Sequence, residues 1–343
     1  MREIQYRNFS SKIHRDNLRS GKFNTCQFEL TFRCGFHCRH CYTDCYNKPR
    51  YLKKELGTKE IKRILDKIHE AGAVWLCFTG GDPLERPDFL DIYSYAREKG
   101  FVVSIFTNVY NMTDGLIELF KKKPPFAIEI TLNAVTKDLY EKICRVKGSF
   151  AKVMKAIDMI VKNGIPLKIK TQVTRDNLEE LPAIRRFVRG LGLRFLPSII
   201  LYPRLDGDSA PCGLRISPRE VMGLGRNRRS GGDDCALRKE DGEDAPLYPC
   251  VAASGDGFYI DPYGSAFFCN LIRQPRFNAL EDDIKESFNR LSPLVTERRF
   301  LTGSKCKDCA LKEGCLWCPG RAYLEKGDIE APIEYYCELA RIA

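Results

Sequence analysis

No stretch of the chain is long and apolar enough to cross a bilayer, and residues 1–22 are polar and basic, which excludes a secretory signal and an obvious transit peptide. The expected location is the cytoplasm, with no membrane partner. Internal repeats and low-complexity tracts are absent as well, leaving a chain of ordinary globular composition, 43% apolar over 343 residues. Nor is there a basic run with interleaved aromatics. The formal net charge is +11, yet the lysines and arginines are dispersed along helical faces beside acidic neighbours, as over 59–67, so no nucleic-acid partner is expected. An acidic partner such as a peptide or a carboxylated small molecule stays compatible with that charge.

Cysteine, by contrast, is abundant. Sixteen cysteines would read as disulfides only in an exported protein; in a reducing compartment they read as metal ligands. Apolar and polar residues alternate over 26–33, which predicts a strand. Ile61, Ile64, Leu65 and Ile68 then recur at helical spacing over 58–71, with Thr58 as N-cap and Gly72 as stop. Strands follow at 73–78, 101–106, 127–132, 165–173 and 193–201, separated by helices at 87–99, 113–121, 150–162 and 178–189.

Six strands alternating with helices predict a parallel α/β sheet with right-handed crossovers, a partial (β/α)6 TIM-like barrel over 26–202 with an open side. Residues 1–25 read as an N-terminal extension. Residues 203–249, rich in Gly, Asp, Arg and Pro, read either as a linker or as a functional loop across the barrel mouth, and 250–343 as a small cysteine-rich module.

The first strand delivers Cys34, Cys38 and Cys41 in the spacing C-x3-C-x2-C, with Tyr42 next. Thiolates are soft ligands suited to iron–sulfur clusters, zinc and Cu(I). Three in one short loop can hold three corners of a four-iron cube, leaving one iron open to a substrate or cosubstrate. A zinc site would need a fourth ligand, and His37 and His40 lie inside the loop, where simultaneous coordination is awkward. A zinc-stabilised binding protein is the rival reading from another class. At the end of the second strand, residues 79–83 read T-G-G-D-P; paired glycines permit close backbone approach, and Asp82 could accept hydrogen bonds from an ammonium group.

The cysteine loop and the turn, in that order, resemble the radical S-adenosylmethionine (SAM) enzymes, with Asp82 in place of the glutamate of the Gly-Gly-Glu-Pro motif. By that resemblance Cys34, Cys38 and Cys41 bind a [4Fe-4S] cluster, Tyr42 packs on adenine, and Gly80, Gly81 and Asp82 receive the methionine amino group of SAM. Thr107, Asn108, Thr131, Asn133 and Gln172 are further polar candidates at strand ends, each with a helix-cap or turn role as its structural alternative. Arg145 stands one place off the family's arginine, with Cys144 in that position. The implied chemistry is reductive cleavage of SAM to a 5′-deoxyadenosyl radical, which abstracts hydrogen from a substrate.

Farther on, Cys250, Gly264 and Cys269, then Cys306-x2-Cys309-x5-Cys315-x2-Cys318 and Cys337, resemble the SPASM module, which binds two auxiliary [4Fe-4S] clusters. The resemblance implies an outer cluster on Cys306, Cys309, Cys315 and Cys337, and an inner one on Cys250, Cys269 and Cys318 with Cys235 or Cys212 as a possible fourth ligand. It further implies a flavodoxin or ferredoxin as electron donor. The substrate expected first is a ribosomally made peptide, brought by a separate presenting protein because too few residues precede the first strand to form a recognition domain. A tetrapyrrole side chain in haem biosynthesis is the alternative. Sulfatase maturation is disfavoured, because Asn270 occupies the position of that branch's aspartate base and an amide cannot take up the proton.

Overall fold

The computed structural model describes residues 10, 12–13, 23–224, 246–248, 255–301 and 303–342. Strand β1 (Thr25–Thr31) buries Cys26, Phe28 and Leu30 on one face and turns Gln27, Glu29 and Thr31 to the other. Strands β2 (Trp75–Gly80), β3 (Val102–Thr107), β4 (Ala127–Thr131), β5 (Leu167–Gln172) and β6 (Phe195–Ser198) follow in the order β6-β5-β4-β3-β2-β1, every pair parallel. Each strand is therefore laid on the same side of its predecessor. Right-handed crossovers then put all the connecting helices on one face and leave the other face concave and free. This is the expected partial barrel.

The connecting helices are α1 (Thr58–Glu70), α2 (Phe89–Glu98), α3 (Asp114–Lys122), α4 (Lys137–Cys144), α5 (Ser149–Lys162) and α6 (Leu181–Gly190). Helix α1 buries the four expected residues, Ile61, Ile64, Leu65 and Ile68, each worth about 2 kcal/mol in transfer from water. Its cap is Gly57 rather than Thr58: the Gly57 N–H donates to the Glu60 carboxylate at 2.7 Å, and the Thr58 hydroxyl turns away to Asp88. Helix α3 starts where the sequence indicates, with the Thr113 hydroxyl accepting from the Leu116 N–H at 3.3 Å. Helix α4 was not foreseen.

A seventh parallel strand was not foreseen either. Strand β7 (Gly257–Ile260) pairs with β1, from Thr25 opposite Gly257 to Phe28 opposite Ile260. The antiparallel β8 (Ser265–Phe267) and β9 (Arg276–Asn278) then extend one nine-stranded sheet among the described residues. The approach of β7 is close: a Cβ on Gly257 would lie 2.0 Å from the Thr25 hydroxyl and 2.7 Å from its carbonyl. The sheet thus runs without a break from the barrel into the cysteine-rich half, where the Phe23 ring centre lies 4.8 Å from that of Phe258 and 4.7 Å from that of Phe288 in one core.

Of residues 203–249, the described part up to residue 224, which includes the short α7 (Pro218–Gly223), packs on the rest of the molecule. The Leu205 N–H donates to the Tyr42 carbonyl at 3.0 Å and Arg204 lies 3.3 Å from Asp44, so the segment crosses the cysteine loop. Beyond α8 (Ile284–Leu291), which carries Phe288, α9 (Pro319–Lys326) presents Glu325, which Arg215 grips with two hydrogen bonds of 3.1 and 2.6 Å. The Tyr335 hydroxyl of α10 (Glu334–Ile342) donates to the Ile216 carbonyl at 3.0 Å. These contacts tie the described part of the segment to the cysteine loop on one side and to the C-terminal helices on the other. Among the described residues no helix is long and apolar enough to cross a membrane.

Candidate active site

At the C-terminal end of β1 the Glu55 carboxylate accepts from the Thr31 hydroxyl at 2.7 Å and the Phe32 N–H at 2.6 Å, which fixes where the chain leaves the sheet. The cysteine loop that follows is held by backbone on one side and an amide on the other. His37 N–H donates to the Cys144 carbonyl at 3.0 Å, Arg39 N–H to the Ile143 carbonyl at 3.2 Å, and the Asn47 side chain to the Cys34 carbonyl at 2.8 Å. The unforeseen helix α4 therefore anchors the loop through its last turn.

The three thiols lie near enough to act on one another's charge. Burial pushes the Cys34 thiol well up, and the charges of Asp82 and Cys41 push it further; Cys38 is raised by burial and then by Cys41 and Cys34. Three such thiols become thiolates only beside a positive group that replaces the lost water. Among the described residues no three His, Cys, Asp or Glu side chains converge as the ligands of a single metal ion do. Three thiolates with no fourth protein ligand suit a four-iron cube with one open iron better than tetrahedral zinc. The donor set fits a cluster.

The glycines of the 79–83 turn serve the protein itself. A Cβ on Gly80, at φ +134, would lie 2.1 Å from the Thr31 carbonyl oxygen, and one on Gly81 would lie 2.4 Å from the Arg33 oxygen and 2.5 Å from that of Phe32. The Gly81 N–H donates to Thr31 at 2.7 Å and the Asp82 N–H to Arg33 at 2.8 Å. The end of β2 is thereby sewn to the root of the cysteine loop. What the pair permits is a close approach of backbone to backbone.

Asp82 is 2% exposed and its carboxylate is already surrounded. It accepts from the Leu84 N–H at 2.8 Å, from the Thr107 hydroxyl at 2.8 and 2.9 Å, and from the Asn108 N–H at 2.7 Å. Burial pushes it up to about 6 against those hydrogen bonds. Asn108 in turn directs its side-chain amide to the Cys34 sulfur at 3.5 Å. Asp82, Thr107, Asn108 and Cys34 form one connected unit, a relation that spacing alone does not reveal.

Asn133 is buried, with its amide nitrogen 3.4 Å from His40 Nε2 and its oxygen accepting from the Gln172 N–H at 2.9 Å. His40, between Cys38 and Cys41, is held down to about 4 by burial. The Gln172 side chain donates to the Ser198 carbonyl at 3.0 Å, and Thr131 is exposed on the concave face. Arg145 is exposed at the C-cap of α4, in the left-handed region at φ 61. Tyr42 is half-buried, its ring 5.3 Å from that of Tyr202 and its hydroxyl hydrogen-bonded to Asn270. Asn270 therefore meets the cysteine loop directly.

In the C-terminal half, Cys306 is pushed up to about 11 by burial and then by Cys337, Cys315 and Cys309, so those four thiols lie together. Cys269 is pushed up to about 11 by burial and then by Cys318, a separate pair. A Cβ on Gly320 would lie 3.3 Å from the Cys269 sulfur, so α9 carries a glycine where it passes that thiol. The groups acting on Cys212 are Arg215, Glu325 and Asp208. Cys235 and Cys250 lie outside the described residues.

Residues 28–188 match the family model described as the Radical SAM superfamily. Among characterised proteins, the AdoMet-dependent heme synthase of Methanosarcina barkeri is 24% identical over 327 residues, covering 88% of this chain and 92% of that protein. The PqqA peptide cyclase of Gluconobacter oxydans is 28% identical over 300 residues, covering 83% and 82%. Among solved structures, SuiB of Streptococcus suis bound to its precursor peptide SuiA superposes with a TM-score of 0.72 at 18% identity, covering 94% of this chain and 78% of that one.

Proposed function

The chain is a radical SAM enzyme, built on that superfamily's domain, and from this premise we propose that it abstracts hydrogen from a substrate held inside its barrel, with two auxiliary clusters in its C-terminal half. The observation that supports the reading is that Cys34, Cys38 and Cys41, near enough to raise one another's pKa, share one loop after the C-terminal end of β1, where catalytic groups of β/α barrels collect. A reduced [4Fe-4S] cluster held by these three would cleave SAM and release the 5′-deoxyadenosyl radical. The turn of Gly80, Gly81 and Asp82 offers backbone polar groups beside that position, and Asn108 a hydrogen bond to the Cys34 sulfur. Asn133 and His40 line the next strand end, Gln172 the one after, and Tyr42 closes the loop under residues 202–205. Thr131 offers a hydroxyl on the concave face; Arg145, exposed at the far end of α4, has the weakest claim to a SAM contact.

The outer auxiliary cluster is assigned to Cys306, Cys309, Cys315 and Cys337, and the inner to Cys269 and Cys318 with Cys250. Cys235 is the remaining candidate for the inner set, since Cys212 is engaged with Arg215 and Glu325. The barrel of residues 26–202 and the module from residue 250 would thus divide radical generation from electron handling, with a flavodoxin or ferredoxin as reductant.

The proposed substrate is a peptide, brought by a presenting protein; peptide-modifying relatives such as the PqqA peptide cyclase support it. A tetrapyrrole is the second reading, favoured by the heme synthase that this chain matches over 92% of its length. The test is anaerobic purification, iron and sulfide analysis, and dithionite reduction with SAM. Iron-replete protein should yield 5′-deoxyadenosine, and the variant carrying Cys34→Ala, Cys38→Ala and Cys41→Ala should yield none while keeping its auxiliary iron. Zinc without iron would sink the reading.

A further inference from the structure

The reading above leaves open what the barrel receives, and the next step rests on the barrel being the reaction chamber. Because the helices α1 to α6 cover one face of the sheet, Ile128 and Ile130 of β4 and Ile169 of β5 are buried against them. Glu129, Lys168 and Lys170 alternate with those residues and so face the concave side. Glu129 lies opposite Lys168, and Thr131 opposite Lys170.

Both ammonium groups share one carboxylate. Lys168 Nζ is 2.9 Å from Glu129 Oε1 and Lys170 Nζ is 2.5 Å from Oε2. The carboxylate side chain is 10% exposed, whereas the lysines keep 45% and 29% of their side-chain surface. Each ammonium has three donors, so both retain N–H groups toward the chamber, and the trio carries one positive charge in excess. Lys170 Nζ also lies 4.4 Å from the centre of the Phe106 ring, and Lys168 Nζ 5.6 Å from that of Phe126, which give flat apolar walls. Gln172 marks the top of β5 beside Asn133 and His40. With a rise of about 3.3 Å per residue, Lys170 stands about 7 Å and Lys168 about 13 Å below it, one small-molecule length from the radical-generating end.

We propose that Lys168 and Lys170 form a carboxylate-binding site inside the barrel, which orients an acidic group of the substrate beneath the cysteine loop. Glu129 holds the two lysines in place and competes with the incoming carboxylate. The carboxylate can come from a tetrapyrrole propionate or from an acidic peptide side chain, and the test separates the two.

Two probes are titrated into the cluster-loaded protein without SAM: coproporphyrin III, followed by its fluorescence, and a fluorescently labelled Glu-rich peptide, followed by anisotropy. The porphyrin tetramethyl ester and the Gln-for-Glu peptide are the neutral counterparts. One acidic probe should bind, its neutral counterpart should not, and the probe that binds names the source. Lys168→Gln with Lys170→Gln should weaken binding about tenfold or more, whereas Glu129→Gln should tighten it by freeing both donors. Lys168→Gln alone keeps the Lys170–Glu129 pair and guards against misfolding, with iron content as the common check.

Failure of both probes to bind, indifference of binding to the double variant, or weakening by Glu129→Gln overturns the proposal. Since binding is read without SAM cleavage, that failure is distinct from a loss of 5′-deoxyadenosine formation, which would strike the proposed reaction itself.

Discussion

Arg273 sets its guanidinium 2.9 Å from the Glu29 carboxylate, tying the middle of β1 to the segment between β8 and β9. Glu29 is 1% exposed, and burial pushes it from 4.5 up to about 6 despite Arg273. The folded state thus holds this proton more tightly than the unfolded chain. The resulting stability is fully present below pH 4.5 and is lost as pH rises through 6, about 2 kcal/mol in all. Glu29→Gln cannot titrate. Denaturant unfolding of both proteins between pH 4.5 and 7 should show the wild type losing about 2 kcal/mol relative to the variant, and parallel curves would contradict the shift.

Removing the partner has the opposite pH signature. Arg273 also lies 3.8 Å from Asp261 and over the rings of Phe32 and Phe267, so Arg273→Ala strands two buried carboxylates and removes packing. A cost of about 3–5 kcal/mol is expected at pH 7. It should shrink toward pH 5 as Glu29 takes up a proton. A uniform cost across that range would mean that lost packing, rather than the uncompensated charge, sets the effect.

Gly81→Ala should damage the cysteine loop more than the fold. Its Cβ would strike the carbonyl oxygens of Arg33 and Phe32, the two residues before Cys34, and backbone on both sides leaves nothing flexible to yield. Iron bound per chain should fall, while α-helical content survives. Gly100→Ala is the control: its φ of +91 is strained for alanine, yet nothing lies within 4 Å of the added atom. That variant should lose about 1 kcal/mol and no iron. Equal iron in the two variants would remove the packing role assigned to the 79–83 turn.

Much of this architecture is legible in the sequence because it is local. The six barrel strands and five of the crossover helices have full periodic patterns, and Cys34, Cys38 and Cys41 fall within eight residues, so chain geometry alone gathers them. Strand β7 has four residues and owes its place to pairing with β1, more than two hundred residues earlier, which no local pattern encodes. The same holds for Arg273 with Glu29 and Tyr42 with Asn270. Helix α4 spans only eight residues and buries Tyr140, Ile143 and Cys144, too short a run for its period to stand out in the sequence. The use of Gly80 and Gly81 against backbone was hidden for another reason: a glycine in sequence says that something comes close, and only the fold says what.

The outer cysteine set yields the last prediction. Cys306, Cys309 and Cys315 come from one loop, but Cys337 sits on α10, and the Cys315 sulfur lies 3.7 Å from the Tyr336 carbonyl on that helix. A cluster on these four thiols would pin α10 to the loop, and with it Tyr335 and Tyr336, whose hydroxyls reach the Ile216 and Leu201 carbonyls at 3.0 Å each. Metal at this site would therefore stabilise the segment that crosses the cysteine loop as well as serve the electron handling proposed for it. Cys315→Ser with Cys337→Ser should remove about a third of the iron if three four-iron clusters are bound. 5′-Deoxyadenosine formation from the reduced enzyme should persist, because the Cys34 set is untouched. Amide hydrogen exchange over residues 334–342 and 210–217 should rise together, since Tyr335 donates to the Ile216 carbonyl and the Arg215 guanidinium lies over the rings of Tyr335 and Tyr336. Exchange confined to residues 334–342 would show that the outer site is structurally independent of the segment that crosses the cysteine loop.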